Sequence, residues 1–249
     1  MISLQHISRT FNKGKINEVT ALRDVSLEIA KGEFVIIVGV NGSGKSTLLN
    51  MIHGSEFPDS GVIEINGTNV TAYPEYKRSK WVARVFQNPT NGTAPDLTIL
   101  DNFRLASLRS HQKKLKIGMT AIFKKKVQDS IATLGMGLEN KIYQPMGSLS
   151  GGQRQALTLL MSAMDEGDVL LLDEPTAALD PKSSKVILEL ANKMNKDFSK
   201  TIVFITHNLK DAQQYGNRLI QMNEGIVTSD FRSNEKSKLL PEDMYRLFI

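Results

Sequence analysis

Three stretches of the chain are apolar at almost every position: Phe34–Val38, Val169-Leu170-Leu171-Leu172 and Thr201–Ile205. Runs of this length without polar alternation suit strands covered on both faces, as in parallel sheets flanked by helices. Helical patterns occupy Lys45–His53, 151–164 and 181–195. The last has Pro181 in its first turn and Asp180 as a capping acceptor, two signals of a helix start. Strands alternating with helices predict an α/β fold with a mostly parallel core sheet. The beginning of the chain is patterned differently. Ile2–Phe11, 21–29 and 61–65 read as short strands joined by polar turns such as Lys31-Gly32 and Asn66-Gly67, which predicts an N-terminal antiparallel β subdomain. Between 99 and 134 the pattern is mostly helical and basic, so a smaller helical lobe is expected, approximately 88–165. No repeat or long flexible linker divides the chain, and 1–249 reads as a single domain closed by a short amphipathic helix at 240–249.

Composition adds mainly exclusions. With 41% apolar and 23% charged residues, 249 positions can bury one substantial core. The lack of cysteine excludes a disulfide scaffold, thiolate metal sites and a cysteine nucleophile. No apolar run approaches the roughly 18 residues of a membrane span. Met1-Ile2-Ser3-Leu4-Gln5-His6 lacks the basic and then apolar blocks of a signal peptide, so a cytoplasmic chain is expected. The net charge of +5 is uneven: Arg104, Arg109, Lys113, Lys114, Lys116, Lys124, Lys125 and Lys126 fall in a window, 102–128, that holds no acid. Such a face can meet an anionic partner, but is ordinarily a solvated helix surface.

Specific chemistry begins at Gly39-Val40-Asn41-Gly42-Ser43-Gly44-Lys45-Ser46, which satisfies the phosphate-loop pattern G-x-x-x-x-G-K-[ST]. Glycines let successive amide N–H groups converge on one anion. The helix that follows adds its positive dipole end. Lys45 supplies a full charge toward the outer phosphates, Ser46 a hydroxyl for Mg²⁺ and Thr47 a second hydroxyl nearby. Asp173 and Glu174 end the second apolar run, at the sheet edge where α/β folds bind ligands. Asp173 is placed to orient Mg²⁺, and Glu174 to accept a proton from the attacking water.

Leu149-Ser150-Gly151-Gly152-Gln153 then matches the LSGGQ signature, and the chain resembles the ATP-binding cassette (ABC) ATPases along its whole length. The resemblance implies a phosphate-loop NTPase fold that binds ATP and Mg²⁺ and hydrolyses ATP. Carried over residue by residue, Phe11 stacks on adenine, Gln87 and His207 act in catalysis with Glu174, and Gln87 joins Ser46 and Asp173 at the metal. It further implies that two cassettes, identical or paralogous, pair head to tail. Ser150, Gly151, Gly152 and Gln153 of one then meet the nucleotide on Lys45 of the other, and Asp180 crosses the interface. Ala178 stands where the family often has serine. The expected partners are membrane permease subunits and a solute-binding protein, with no nucleic acid; the expected place is the inner face of the cell membrane. Gln87-Asn88-Pro89 and Gly92-Thr93-Ala94-Pro95 resemble a subgroup of bacterial importers, some linked to amino acids. The alternative implied by the same family is a soluble ATPase of iron–sulfur cluster assembly.

Overall fold

The computed structural model describes residues 1–108, 118–164 and 167–248. The first half of the chain forms β1 (Ile2–Phe11), β2 (Val19–Ile29), β3 (Phe34–Val38), α1 (Lys45–His53), β4 (Ser60–Ile65), β5 (Thr68–Asn69), α2 (Glu75–Arg78), β6 (Val82–Val85) and α3 (Ile99–Ala106). It continues with α4 (Ala121–Ala132), α5 (Gly151–Ala163), β7 (Val169–Asp173), α6 (Pro181–Phe198), β8 (Thr201–Ile205) and α7 (Leu209–Gln214). The end of the chain adds β9 (Arg218–Asn223), β10 (Ile226–Arg232), α8 (Ser233–Lys236) and α9 (Pro241–Arg246).

Two sheets result, of order β2-β1-β4-β5 and β10-β9-β3-β8-β7-β6. The first is antiparallel throughout. In the second, β3, β6, β7, β8 and β9 run parallel and only β10 is reversed. Alternate residues of a strand point to opposite faces, so each apolar run feeds two cores. Phe34, Ile36, Leu170, Leu172 and Phe204 pack with α5, α6 and the lobe helices α3 and α4. Val35, Ile37, Leu171, Val203 and Ile205 pack with α1 and the antiparallel sheet. Truncating a side chain as buried as Phe204, at 0% exposure, to alanine costs about 3–5 kcal/mol. The expected strand runs are therefore buried on both sides.

Some boundaries move. Helix α6 continues past 195 to Phe198, with Asn195 donating from within it to the carbonyls of Gly32 and Lys200, both at 2.8 Å; it stops where Ser199 turns left-handed at φ 52. Of the basic window, Arg109, Lys113, Lys114 and Lys116 lie outside the described residues. In the described part, Lys125 pairs with Asp129 one helical turn on at 2.9 Å, and Arg104 lies 5.8 Å from the Phe123 ring.

Candidate active site

The phosphate loop leaves β3 at the carboxyl edge of the parallel strands. A Cβ on Gly39 would lie 2.1 Å from the Met222 carbonyl oxygen, so no other residue fits there without moving the backbone. Gly42 has open space around it, but its φ of 82 disfavours an L side chain. Helix α1 has Gly44 at its N-cap, no side-chain cap and no acid in its first turn. Its leading amides and the positive end of its dipole therefore remain available to an anion. The Lys45 ammonium, on a residue only 5% exposed, donates to the carbonyls of Gly39 at 2.8 Å and Val40 at 2.7 Å. Burial lowers its pKa, while the nearby Glu174 and Asp173 carboxylates pull it back up. Of the other loop residues, Asn41 and Ser46 are exposed and Thr47 is half-buried.

The loop rests on the β9–β10 hairpin, which the sequence pattern did not single out. Gly225 N–H donates to the Ser43 carbonyl at 3.1 Å, and Arg23 N–H to the Gly225 carbonyl at 2.9 Å. Asn223-Glu224-Gly225-Ile226, with Glu224 and Gly225 at φ 45 and 80, is a tight hairpin turn whose Glu-Gly pair between strand-like runs was the available signal. Arg218, 3% exposed at the start of β9, anchors the hairpin to Asp230 at 2.6 Å and to Glu33 at 3.0 Å.

Strand β7 ends on Asp173, and Glu174 follows in a left-handed conformation at φ 47, a strain of about 1–3 kcal/mol. The turn is held by the Glu174 N–H, which donates to the Ile205 carbonyl at 3.2 Å. Ser46 Oγ donates to Asp173 Oδ1 at 3.3 Å. The second Asp173 oxygen accepts from Arg84 at 2.6 Å. Arg84 escaped the sequence reading; its signal was a lone charge in Val82-Ala83-Arg84-Val85-Phe86. Glu174 Oε1 lies 2.8 Å from His207 Nε2, and Oε2 accepts from Gln87 Nε2 at 3.4 Å. An ionised carboxylate only accepts, so His207 carries its proton on Nε2 toward Glu174. His207 is placed by the turn after β8, where Asn208 N–H donates to Thr206 Oγ1 at 3.0 Å and Asn208 caps α7.

Of the three residues expected at the metal, the hydroxyl of Ser46 and the carboxylate of Asp173 lie together, while Gln87 reaches Glu174 and keeps its amide oxygen for a ligand; no cluster of three His, Cys, Asp or Glu suited to a metal occurs among the described residues. That set fits Mg²⁺, a hard ion that keeps water and phosphate ligands instead of a protein cage.

The signature residues form a separate centre. Ser150 caps α5 in a reciprocal box: its Oγ accepts from Gln153 N–H at 3.2 Å, and its own N–H donates to Gln153 Oε1 at 3.1 Å. A Cβ on Gly152 would lie 2.4 Å from Ser183 Oγ, so α5 meets the start of α6 closely. Gly151 lies against Leu179, whose side chain would stand 3.7 Å from a Cβ there. Asp180 caps α6 by accepting from the N–H groups of Lys182 and Ser183, both at 3.0 Å, and from Ser183 Oγ at 2.6 Å. The Ser183 hydrogen bonds hold this exposed carboxyl below its ordinary pKa. Among the described residues, no hydrogen bond or ion pair joins Ser150, Gly151, Gly152 or Gln153 to the loop at 39–47. Phe11 sits at the end of β1 opposite Val19, with the Arg9 guanidinium 4.8 Å from its ring centre.

A glycine loop opening a helix, with an Asp-Glu pair and a histidine at the ends of neighbouring parallel strands, defines a nucleoside triphosphatase of the phosphate-loop class. The sequence model described as ABC transporter matches residues 22–177, and the chain belongs to that family as an ATP-hydrolysing nucleotide-binding subunit. The tyrosine transport ATP-binding protein of Clostridioides difficile (strain R20291) is 41% identical over 251 residues, covering 100% of this chain and 98% of the relative. The phosphonates import ATP-binding protein PhnC of Lactococcus lactis subsp. lactis (strain IL1403) is 32% identical over 253 residues, covering 99% of each. The dimeric post-hydrolysis structure of the ATP-binding cassette MJ0796 bound to ADP and Pi superposes with a TM-score of 0.81 at 29% identity, covering 94% of this chain and 99% of that one. No helix among the described residues is long and apolar enough to cross a membrane.

Proposed function

We propose that the chain energises a membrane importer by binding and hydrolysing Mg²⁺–ATP between two cassettes at the inner face of the cell membrane. The observation that carries this reading is the Glu174 carboxylate. It sits at the end of β7, 2.8 Å from His207 Nε2, in the same cluster as the loop that holds Lys45. In this reading 1–249 is one nucleotide-binding domain with a helical subdomain at approximately 88–165.

Lys45 and the free amides of α1 hold the phosphates, and Phe11 stacks on the adenine. Ser46, Asp173 and Gln87 are the residues that would hold Mg²⁺, which when bound offsets phosphate charge. Glu174 takes the proton of the attacking water. His207 fixes one Glu174 oxygen and leaves the other turned toward Gln87. Asn41, Gly42, Ser43, Gly44 and Thr47 complete the cradle around the phosphates.

The signature centre lies apart from this cluster within one chain, which supports its use in trans. Ser150, Gly151, Gly152 and Gln153 meet the nucleotide on a second copy or a paralogue, and Asp180 organises the seam. ATP favours the closed pair only through its higher affinity for that state, and hydrolysis releases it. Permease subunits dock at the loop after Gln87, beside a cleft of about 370 Å³ lined by Phe86, Gly92 and Asn102. A solute-binding protein delivers the cargo, for which the tyrosine transport relative supports an amino acid. The iron–sulfur assembly alternative is set aside, because the curated relatives are transport subunits.

Glu174→Gln keeps the phosphate contacts and removes the base. Turnover should fall by about 10²–10⁴-fold, while ATP stays bound and light scattering detects a trapped pair. Native turnover in this variant would place the base elsewhere. Loss of labelled tyrosine uptake on deletion of the gene tests the cargo; intact uptake excludes tyrosine.

A further inference from the structure

We infer that Arg84 is a positioning residue for Asp173: it takes one carboxylate oxygen and thereby presents the other to the divalent cation beside Ser46. This rests on the Mg²⁺–ATP reading above, and adds to it a side chain that lies outside the motifs on which that reading stands.

The geometry is a fork. Arg84 Nη2 donates to Asp173 Oδ2 at 2.6 Å, and Nη1 donates to Asn50 Oδ1 on α1, also at 2.6 Å. Ser46 Oγ lies on the opposite oxygen, Oδ1, at 3.3 Å. The Arg84 and Asp173 side chains are 7% and 13% exposed, so solvent ions screen the pair little. Strand register explains the reach. Arg84 stands opposite Leu171 and Val85 opposite Leu172, which puts Arg84 and Asp173 on one face of adjacent parallel strands. The Phe86 ring, 4.7 Å from the guanidinium carbon, backs the fork. Arg84 Nε has no hydrogen-bond partner among the described residues, so its two terminal nitrogens and the ring fix the head.

Two effects of opposite sign compete at such a residue. By charge alone Arg84 repels a cation, and removing it would tighten metal binding. By orientation it holds the ligand, and its loss would weaken binding. The contact to the oxygen away from Ser46 favours orientation. A planar guanidinium spans two acceptors, whereas an ammonium supplies the same charge at one point, which makes the two effects separable.

The test is a Mn²⁺ titration followed by electron paramagnetic resonance, with native protein, Arg84→Ala, Arg84→Lys and Asn50→Ala each loaded with a non-hydrolysable ATP analogue. Binding of a fluorescent ATP analogue in EDTA is measured in parallel and should be unchanged. Mn²⁺ affinity should fall by about tenfold or more in both Arg84 variants, in line with losses seen for partners that orient metal ligands, and by a smaller factor in Asn50→Ala. Should Arg84→Ala fail to fold, Arg84→Lys and Asn50→Ala carry the test. Unchanged or tighter Mn²⁺ binding in Arg84→Ala, or native Mn²⁺ binding in Arg84→Lys, would overturn the inference while leaving the Mg²⁺ reading intact. Native protein that binds no Mn²⁺ with the analogue would remove both.

Discussion

Helix α1 starts from a glycine cap and α5 on a glycine pair, yet they treat their first backbone amides in opposite ways. In α1, Gly44 has no side chain to offer and the first turn holds no acid. A buried lysine stands behind it, with two carboxylates near enough to favour its charge. In α5, Ser150 and Gln153 satisfy one another's amides, and the start of α6 presses against Gly152. The contrast teaches that similar helix ends can be specialised by what caps them. One is left open and backed by a full charge, so its amides stay available to an anion. The other is completed locally, its first amides already taken by side chains of the same turn.

The most direct break of this contrast is Lys45→Ala. A hydrogen bond to a charged group is worth about 1.5–3 kcal/mol, so ATP affinity should fall roughly 10–100-fold by calorimetry. Affinity equal to native would take the loop out of the site. Next come two glycines of the same loop. Gly39→Ala meets the Met222 carbonyl and should cost about 3 kcal/mol or more of stability. Gly42→Ala meets nothing and should cost only the left-handed penalty, about 1–2 kcal/mol. Equal costs in denaturant melts would mean that the hairpin beneath Gly39 yields easily. Ser150→Ala should remove about 1 kcal/mol of capping and leave ATP binding by the single chain unchanged, while weakening the ATP-dependent pairing seen with Glu174→Gln. A fall in single-chain affinity would erase the distinction between the two helix ends.

The smallest effect is a pH dependence at Asp180. Its carboxyl lies below the ordinary value of 3.8 because Ser183 binds the ionised form. Its contribution is therefore complete above that value and lost as pH falls through the lower, folded one. The stability difference between native protein and Asp180→Ala should shrink as pH drops below 3.8. A difference independent of pH would show that the cap does not rely on charge.

Much of this was legible in the sequence, for identifiable reasons. Continuous apolar runs located β3, β7 and β8 because each of those strands is buried on both faces and tolerates no polar alternation. Asp180 and Pro181 marked the start of α6 because a helix end needs an acceptor for its free amides. The elements that went unseen are those whose residues answer to neighbours distant in sequence. Strand β6 is short, lies at the sheet edge and carries Arg84 in its middle, so its pattern reads as neither strand nor helix. Strand β10 is mostly exposed and gives no strong apolar period. Among site residues, the motifs exposed Lys45, Asp173 and Glu174, since their chemistry depends on local spacing. Arg84 acts across two strands, and the Arg9 guanidinium against Phe11 depends on Glu56 and Asp59; no local pattern encodes either.

The hairpin beneath the phosphate loop has a consequence for synthesis. The glycine turn at Gly39 leaves the ribosome well before the Met222 carbonyl and Gly225 that floor it. A nascent chain therefore carries its glycine loop through all the synthesis between β3 and β9 without the support that shapes it. A fragment that ends before β9 keeps the motif but lacks the floor on which Gly39 rests.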